Sequence, residues 1–135
     1  MEHYLVIKEN KMAKPGKTGF SRLFDAFGYS WLGYKAGYKN EAAFREELFL
    51  GVLLTPVAIY FSETSIELAI LLGSLFIVLI TELLNSGIEA VVDRVSDEHH
   101  ELSGRAKDLG AAAVMTSLIN VIVIWSIIFV PKINL

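Results

Sequence analysis

TELLNSGIEAVVD, residues Thr81 to Asp93, sets a row of polar side chains on a segment that is otherwise apolar. Glu82, Asn85, Ser86, Glu89 and Asp93 stand at offsets 0, 3, 4, 7 and 11. At 100° per residue these lie within roughly 100° of one another, one stripe on one helix. An uncharged run, Leu68 to Thr81, leads into the stripe. It reaches the roughly 20 residues of a membrane span only if the helix runs on through Glu82 towards Val92. Glu82 then sits some five residues, or roughly 7 Å, inside the boundary of the apolar layer. A carboxylate at that depth is costly, which makes it a candidate functional group. The alternative is that these side chains pair with other helices to fix assembly. Two glutamates, an asparagine and a serine on one stripe beside a charged loop favour function.

Two further uncharged apolar stretches flank this one, Leu48 to Ser62 and Leu109 to Pro131, and the second passes the usual spanning length of about 18 residues. The first is short and borrows residues from its amphipathic approach. The chain has 135 residues, 53% hydrophobic and 20% charged, with a mean hydropathy of +0.48. A soluble domain this small exposes much of its surface and cannot hide so many apolar side chains, which argues against a soluble enzyme. Cysteine is absent, so there is no disulfide framework, thiolate metal site or cysteine nucleophile. No apolar core follows the early lysines, so no secretory signal peptide is expected.

The formal charge of −3 averages over an uneven distribution. Eight of the twelve Lys and Arg precede Leu48, three more (Arg94, Arg105, Lys107) lie between Glu89 and Gly110, and Lys132 stands alone near the end. If the three stretches span, eleven cations share one side, which is then cytoplasmic. The N-terminus and the second loop face inward, and the Phe61–Glu67 connection and the C-terminus face outward. Before the first span, Phe20, Leu23, Phe24, Phe27, Trp31, Tyr34 and Tyr38 form a stripe that excludes Arg22, Asp25, Lys35 and Lys39. This suits a helix lying in a membrane interface, or one packing on the protein's own helices. Gly28, Gly33 and Gly37 weigh against one unbroken helix there. Asn40, followed by Glu41, is placed to cap the next helix.

Spacing separates the possible roles of the carboxylates. Glu82 and Glu89 are about 10 Å apart along a helix axis, too far to hold one metal ion between them. One suits a base at the membrane surface; the other, nearer the cytoplasm, suits a cation. Glu41, at the base of the first span, has the right depth for a second ligand. In DEHHELSGRAKDLGAAAV, Asp97 to Val114, the adjacent His99 and His100 are poorly spaced for one metal ion. Arg105 and Lys107 are positive-inside anchors or face phosphate oxygens. Gly16-Lys17-Thr18 is a decoy for a phosphate loop, because Lys11 stands where the first glycine belongs and no strand precedes it.

From Gly19 onward the chain resembles the small bacterial integral-membrane diacylglycerol kinases. The resemblance rests on GYSW (Gly28–Trp31), NEAAFREE (Asn40–Glu47), ELLNSGIEAVVDR (Glu82–Arg94) and HELSGRAKDLGAAAV (His100–Val114). It implies an all-α homotrimer of single-domain subunits in the bacterial inner membrane. Residues 1–18 form a variable basic tail, 19–39 an amphipathic surface helix, and about 41–62, 66–92 and 107–131 three transmembrane helices. The activity implied is transfer of the γ-phosphoryl of MgATP to the primary hydroxyl of 1,2-diacylglycerol, giving phosphatidic acid for phospholipid recycling. Glu82 is then the general base, and Glu41 and Glu89 hold Mg²⁺. ATP is bound by Arg22, Tyr29, Glu41, Asn85, Glu89, Glu98, His99, His100, Lys107 and Asp108. The lipid is bordered by Arg22, Ser30, Trp31, Ala43, Phe44, Arg45, Glu46, Glu47, Glu82 and Ala111, with the sites built at subunit contacts. No nucleic-acid partner is implied. Two positions depart from the family pattern: His99 stands where an aromatic residue is frequent, and Ala111 where serine is common.

Besides a purely structural membrane protein, two alternatives stay open. Undecaprenol kinases share the fold but usually read NTAIE where this chain reads Asn85-Ser86-Gly87-Ile88-Glu89, so the wording leans towards diacylglycerol. A small proton-coupled transporter with Glu82 as its proton site would place its carboxylates near the midplane and have no need of the NEAAFREE or GRAKD charges.

Overall fold

The computed structural model describes residues 19–95 and 100–133. The expected tail over residues 1–18 and the candidate residues Glu98 and His99 lie outside the described residues. Four helices follow one another, α1 (Phe20–Asn40), α2 (Ala42–Phe61), α3 (Ser65–Val95) and α4 (Glu101–Ile133). The all-α expectation holds. Chain contacts divide the molecule into two units between Lys35 and Ala36, so α1 crosses the division.

In the first unit α1 exposes Phe20, Phe24, Phe27, Trp31 and Tyr34. Lys35 Nζ stands 5.4 Å from the Trp31 ring centroid, a cation–π contact. The helix is unbroken, contrary to the weight placed on its glycines. A Cβ at Gly28 or Gly33 would meet nothing. Each glycine therefore carries only its propensity cost of about 1 kcal/mol, too little to interrupt a long helix.

The second unit begins with the end of α1. Gly37 is buried there for want of space: a Cβ would stand 3.2 Å from Leu83 Cδ2 and 3.3 Å from Phe44 Cδ1. The cap expected of Asn40 falls one residue later. Asn40 completes α1, and Glu41 is the N-cap of α2, in extended conformation (φ −107°, ψ 115°) with no side-chain cap hydrogen bond. Its N–H still donates to Gly37 O at 2.9 Å, so the ladder of α1 runs to the joint itself. Arg45 turns back, Nη1 donating to Tyr38 O at 3.0 Å and Lys39 O at 3.4 Å, and supplies positive charge at the C-terminus of α1.

Thr64 and Glu67 start α3 with a variant of the capping box. Glu67 N–H donates to Thr64 Oγ1 at 3.1 Å, while the Glu67 carboxylate accepts from Glu63 N–H at 2.9 Å. Lys132, from the last turn of α4, closes this end. Its Nζ donates to Phe61 O at 2.9 Å and Glu67 Oε2 at 2.8 Å, and pairs with Glu63 Oε1 at 3.2 Å.

The interior is narrow. Leu71, Ser74, Val78, Glu82 and Asn85 make the buried face of α3, at steps of three or four residues. Phe44 and Ala58 of α2, and Gly110 and Ser117 of α4, are also buried. Ser74 Oγ accepts from Trp125 Nε1 at 3.2 Å and donates to Leu71 O at 2.7 Å, joining α3 to α4. Large apolar side chains such as Phe76, Ile80, Ile122 and Ile127 point outward. Polar groups inside and hydrocarbon outside are the pattern of helices bathed in lipid or covered by further copies.

By length and apolar composition α3 and α4 can each cross a membrane. The helix of α3 does run on past Glu82, as a spanning length requires. In α2 the first turns carry Arg45, Glu46 and Glu47, and the uncharged remainder rises only about 21 Å, short of a hydrocarbon layer of about 30 Å.

Candidate active site

The polar stripe of α3 faces inward at the end remote from Lys132. Glu82 is 4% exposed and Asn85 is 9% exposed, whereas Ser86 and Glu89 are half-buried and Asp93 is exposed. The stripe thus runs from a buried carboxylate to solvent in three turns of one helix. Two i, i+4 hydrogen bonds order it. Ser86 Oγ donates to Glu82 Oε1 at 3.5 Å, and Asn85 Nδ2 donates to Glu89 Oε1 at 3.1 Å.

Neighbouring elements bring more carboxylates. Glu41, at the joint before α2, and Glu89 both act electrostatically on Glu82. Glu82 acts in turn on Glu47, which follows Phe44 on the inward face of α2 and has a buried Oε2 without a hydrogen-bond partner. Like charges gathered in a partly dry place repel one another until a proton or a cation neutralises them. These are hard oxygen donors, the type that binds Mg²⁺. Among the described residues no three His, Asp or Glu side chains close around one point. Mg²⁺ commonly takes one or two carboxylates and completes its shell with water and substrate phosphate. The donors are therefore of the type Mg²⁺ takes, with most of its shell left to water or other ligands.

Lys107 enters from the second turn of α4. Its ammonium is paired with Asp93 and also feels Glu89. One cation thus stands at the solvent end of the stripe, where an incoming anion would first meet the protein.

The other sequence candidates are dispersed. Arg22, Tyr29, Ser30 and Trp31 lie on α1 in the first unit. Ala43, Arg45 and Glu46 are exposed on the first turn of α2, where Arg45 is engaged with the end of α1, while Phe44 is 3% exposed. Asp108 and Ala111 are exposed on α4, on either side of the buried Gly110. His100 is the N-cap of α4, its Nδ1 accepting from Leu102 N–H at 3.2 Å. Glu47 was foreseen beside the lipid, and the structure turns it towards Glu82. The signal lay in the periodicity Phe44, Glu47, Gly51, Ala58, which puts it on the inward side of α2. Gly110, buried on α4 against Asn85, is not among the residues the sequence motifs single out.

A buried helical carboxylate, an ordered amide–carboxylate pair and a lysine at the rim, on helices apolar enough to cross a membrane, mark a helical protein of membrane type with a polar stripe along one helix. Residues 28–129 match the prokaryotic diacylglycerol kinase family. The chain is 48% identical over 111 residues to diacylglycerol kinase of Escherichia coli strain K12, covering 82% of this chain and 91% of that one. It is 46% identical over 108 residues to the diacylglycerol kinase of Haemophilus influenzae, covering 80% and 92%. With that of Pseudomonas aeruginosa it shares 46% identity over 113 residues, covering 84% and 92%. This chain belongs to the prokaryotic diacylglycerol kinase family.

Proposed function

We propose that this protein is an ATP-dependent diacylglycerol kinase of the bacterial inner membrane. It transfers the γ-phosphoryl group of ATP to the free hydroxyl of diacylglycerol, giving phosphatidic acid and ADP. The observation that carries the reading is Glu82, a buried carboxylate on α3, one turn from the ordered Asn85–Glu89 pair. Diacylglycerol kinases of like sequence along most of the chain supply the substrate class.

Glu82 accepts the proton of the lipid hydroxyl as that oxygen attacks the γ-phosphorus, and the bond to the ADP oxygen breaks. Glu89 and Glu41 would hold Mg²⁺, which would supply positive charge to neutralise the phosphoryl oxygens. Asn85 fixes one Glu89 oxygen, and Lys107 and Asp108 meet the nucleotide from the cytoplasmic rim. The family resemblance assigns contacts with ATP to Arg22, Tyr29, Glu98, His99 and His100 as well. Ser30, Trp31, the Ala43–Glu47 segment and Ala111 border the lipid. Phosphoryl transfer asks for positioning and charge neutralisation more than covalent work by the protein.

In this reading α2, α3 and α4 all span, with the N-terminus and the α3–α4 connection in the cytoplasm and the C-terminus outside. The charged first turns of α2 are part of its crossing, which with them rises about 30 Å, and they carry their charges at the inner surface, where the cations concentrate. Three copies assemble, each site drawing on adjacent subunits, and the outward apolar faces of the single chain support such a covering.

ATP consumption by the purified protein in mixed micelles tests the reading. Turnover should depend on diacylglycerol, with label from the γ-phosphate appearing in phosphatidic acid. Transfer to undecaprenol in preference to diacylglycerol in the same micelle would assign the other lipid, and absence of transfer to either would refute kinase activity.

A further inference from the structure

Gly110 sits in the interior of α4, where glycine is unfavourable relative to alanine. Its backbone does not require glycine, since Gly19 is the glycine with positive φ among the described residues. Space requires it. A Cβ at Gly110 would collide with Oδ1 of Asn85, whereas a Cβ at Gly28, Gly33, Gly51, Gly73, Gly87 or Gly104 would meet nothing. The amide oxygen of Asn85 thus occupies the volume that any other residue's side chain would fill.

That oxygen is buried and has no hydrogen-bond partner. A buried amide oxygen left unpaired is unfavourable, so something must hold the amide in this orientation. On one side its Nδ2 donates to Glu89 Oε1 at 3.1 Å. On the other, the missing side chain of Gly110 gives the oxygen a slot. The reverse orientation would set the amide oxygen against the Glu89 carboxylate. We propose that Gly110 is a positioning residue: its bare Cα seats the Asn85 amide so that the NH₂ group is aimed at Glu89 and fixes the carboxylate that binds the divalent cation. The inference rests on the kinase reading for the identity of the cation, but the seating of Asn85 stands on its own.

Gly110→Ala tests it, with Gly73→Ala as the control in open space. The first readout is the side-chain amide NMR resonance of Asn85, assigned by its loss in Asn85→Ala. Glu89→Gln should move this resonance in an otherwise wild-type chain, Gly110→Ala should move it too, and Gly73→Ala should leave it in place. The second is Mn²⁺ affinity without turnover, read by electron paramagnetic resonance. Gly110→Ala should weaken it roughly 10-fold or more, the usual effect of losing a group that orients a metal ligand. Asn85→Ala should weaken it similarly, and the double variant should be no worse than Asn85→Ala alone. If Gly110→Ala fails to fold, the double variant, relieved of the collision, should fold with the Mn²⁺ affinity of Asn85→Ala.

An unmoved Asn85 resonance in Gly110→Ala overturns the proposal, as does an unchanged Mn²⁺ affinity. Multiplied losses in the double variant, or a double variant that stays unfolded, do the same. Failure of the kinase reading shows differently, as a wild-type protein that neither binds Mn²⁺ nor phosphorylates lipid while its Asn85 resonance still responds to Gly110→Ala.

Discussion

Lys107, in the second turn of α4, is ion-paired with Asp93, in the last turn of α3. The pair ties two helices at the end where the polar stripe meets solvent, and it occupies the cation proposed to receive ATP. A surface pair of this kind adds little to stability and is weakened by salt, so its members can be exchanged without loss of the fold.

The two members should therefore behave differently. Lys107→Met should raise the KM for ATP roughly tenfold or more, the effect of losing a hydrogen bond to a charged group. Asp93→Asn frees the ammonium and should leave that KM unchanged or lower it. Steady-state kinetics at fixed diacylglycerol distinguish the cases. Equal KM increases in both variants would mean that the pair serves only to join α3 and α4.

Glu82→Gln keeps the shape of the side chain and an acceptor for Ser86 while removing the base. Phosphoryl transfer should fall by about 10²-fold or more, the usual contribution of a general base, with ATP binding and thermal unfolding little changed. Radiolabel transfer to lipid and nucleotide binding, measured on one preparation, check both halves. Retained turnover would falsify the assignment.

Subunit sharing of the site, as proposed, is open to a mixing experiment. Glu82→Gln and Glu41→Gln subunits, each inactive alone, should recover part of the activity when unfolded together and reassembled. No recovery from mixed assemblies, shown to be mixed by affinity tags, would mean that each site is built within one chain.

Ser74→Ala removes the buried acceptor of the Trp125 indole N–H, a bond between α3 and α4. Such bonds between helices in lipid contribute about 0.6 kcal/mol on average, and an orphaned donor raises the cost to about 1 kcal/mol. A small fall in the midpoint of unfolding in detergent, with kcat unaltered, is the expected result.

The parts legible in the sequence are those written along one helix. The offsets of Glu82, Asn85, Ser86 and Glu89 fixed a shared face, and the structure buries the upper part of that face. The same arithmetic required α3 to continue past Glu82, and it does. Local energetics were harder to weigh. Three glycines did not break α1, because their costs are small beside the helix as a whole. Asn40 lost the capping role to Glu41 because the ladder of α1 extends one residue further than its composition suggests. The Thr64–Glu67 capping box was readable from its spacing but not singled out. Contacts that depend on the register between helices were beyond a single sequence. Lys107 with Asp93, Trp125 with Ser74, and Gly110 with Asn85 each need the offset of α4 against α3, which no local pattern encodes.

Because Glu82 stands on an unbroken helix, its height relative to the ends of α3 is set by the pitch of the backbone and not by a movable loop. As the proposed base within a membrane, such a group would work as a gauge. An acceptor whose hydroxyl rides at the matching elevation meets the carboxylate; one that carries it a few ångströms higher or lower misses, whatever its tails. Chain length and saturation would then count for less than how far the headgroup stem stands from the midplane. A bilayer made thicker or thinner should retune the enzyme as surely as a change of side chain.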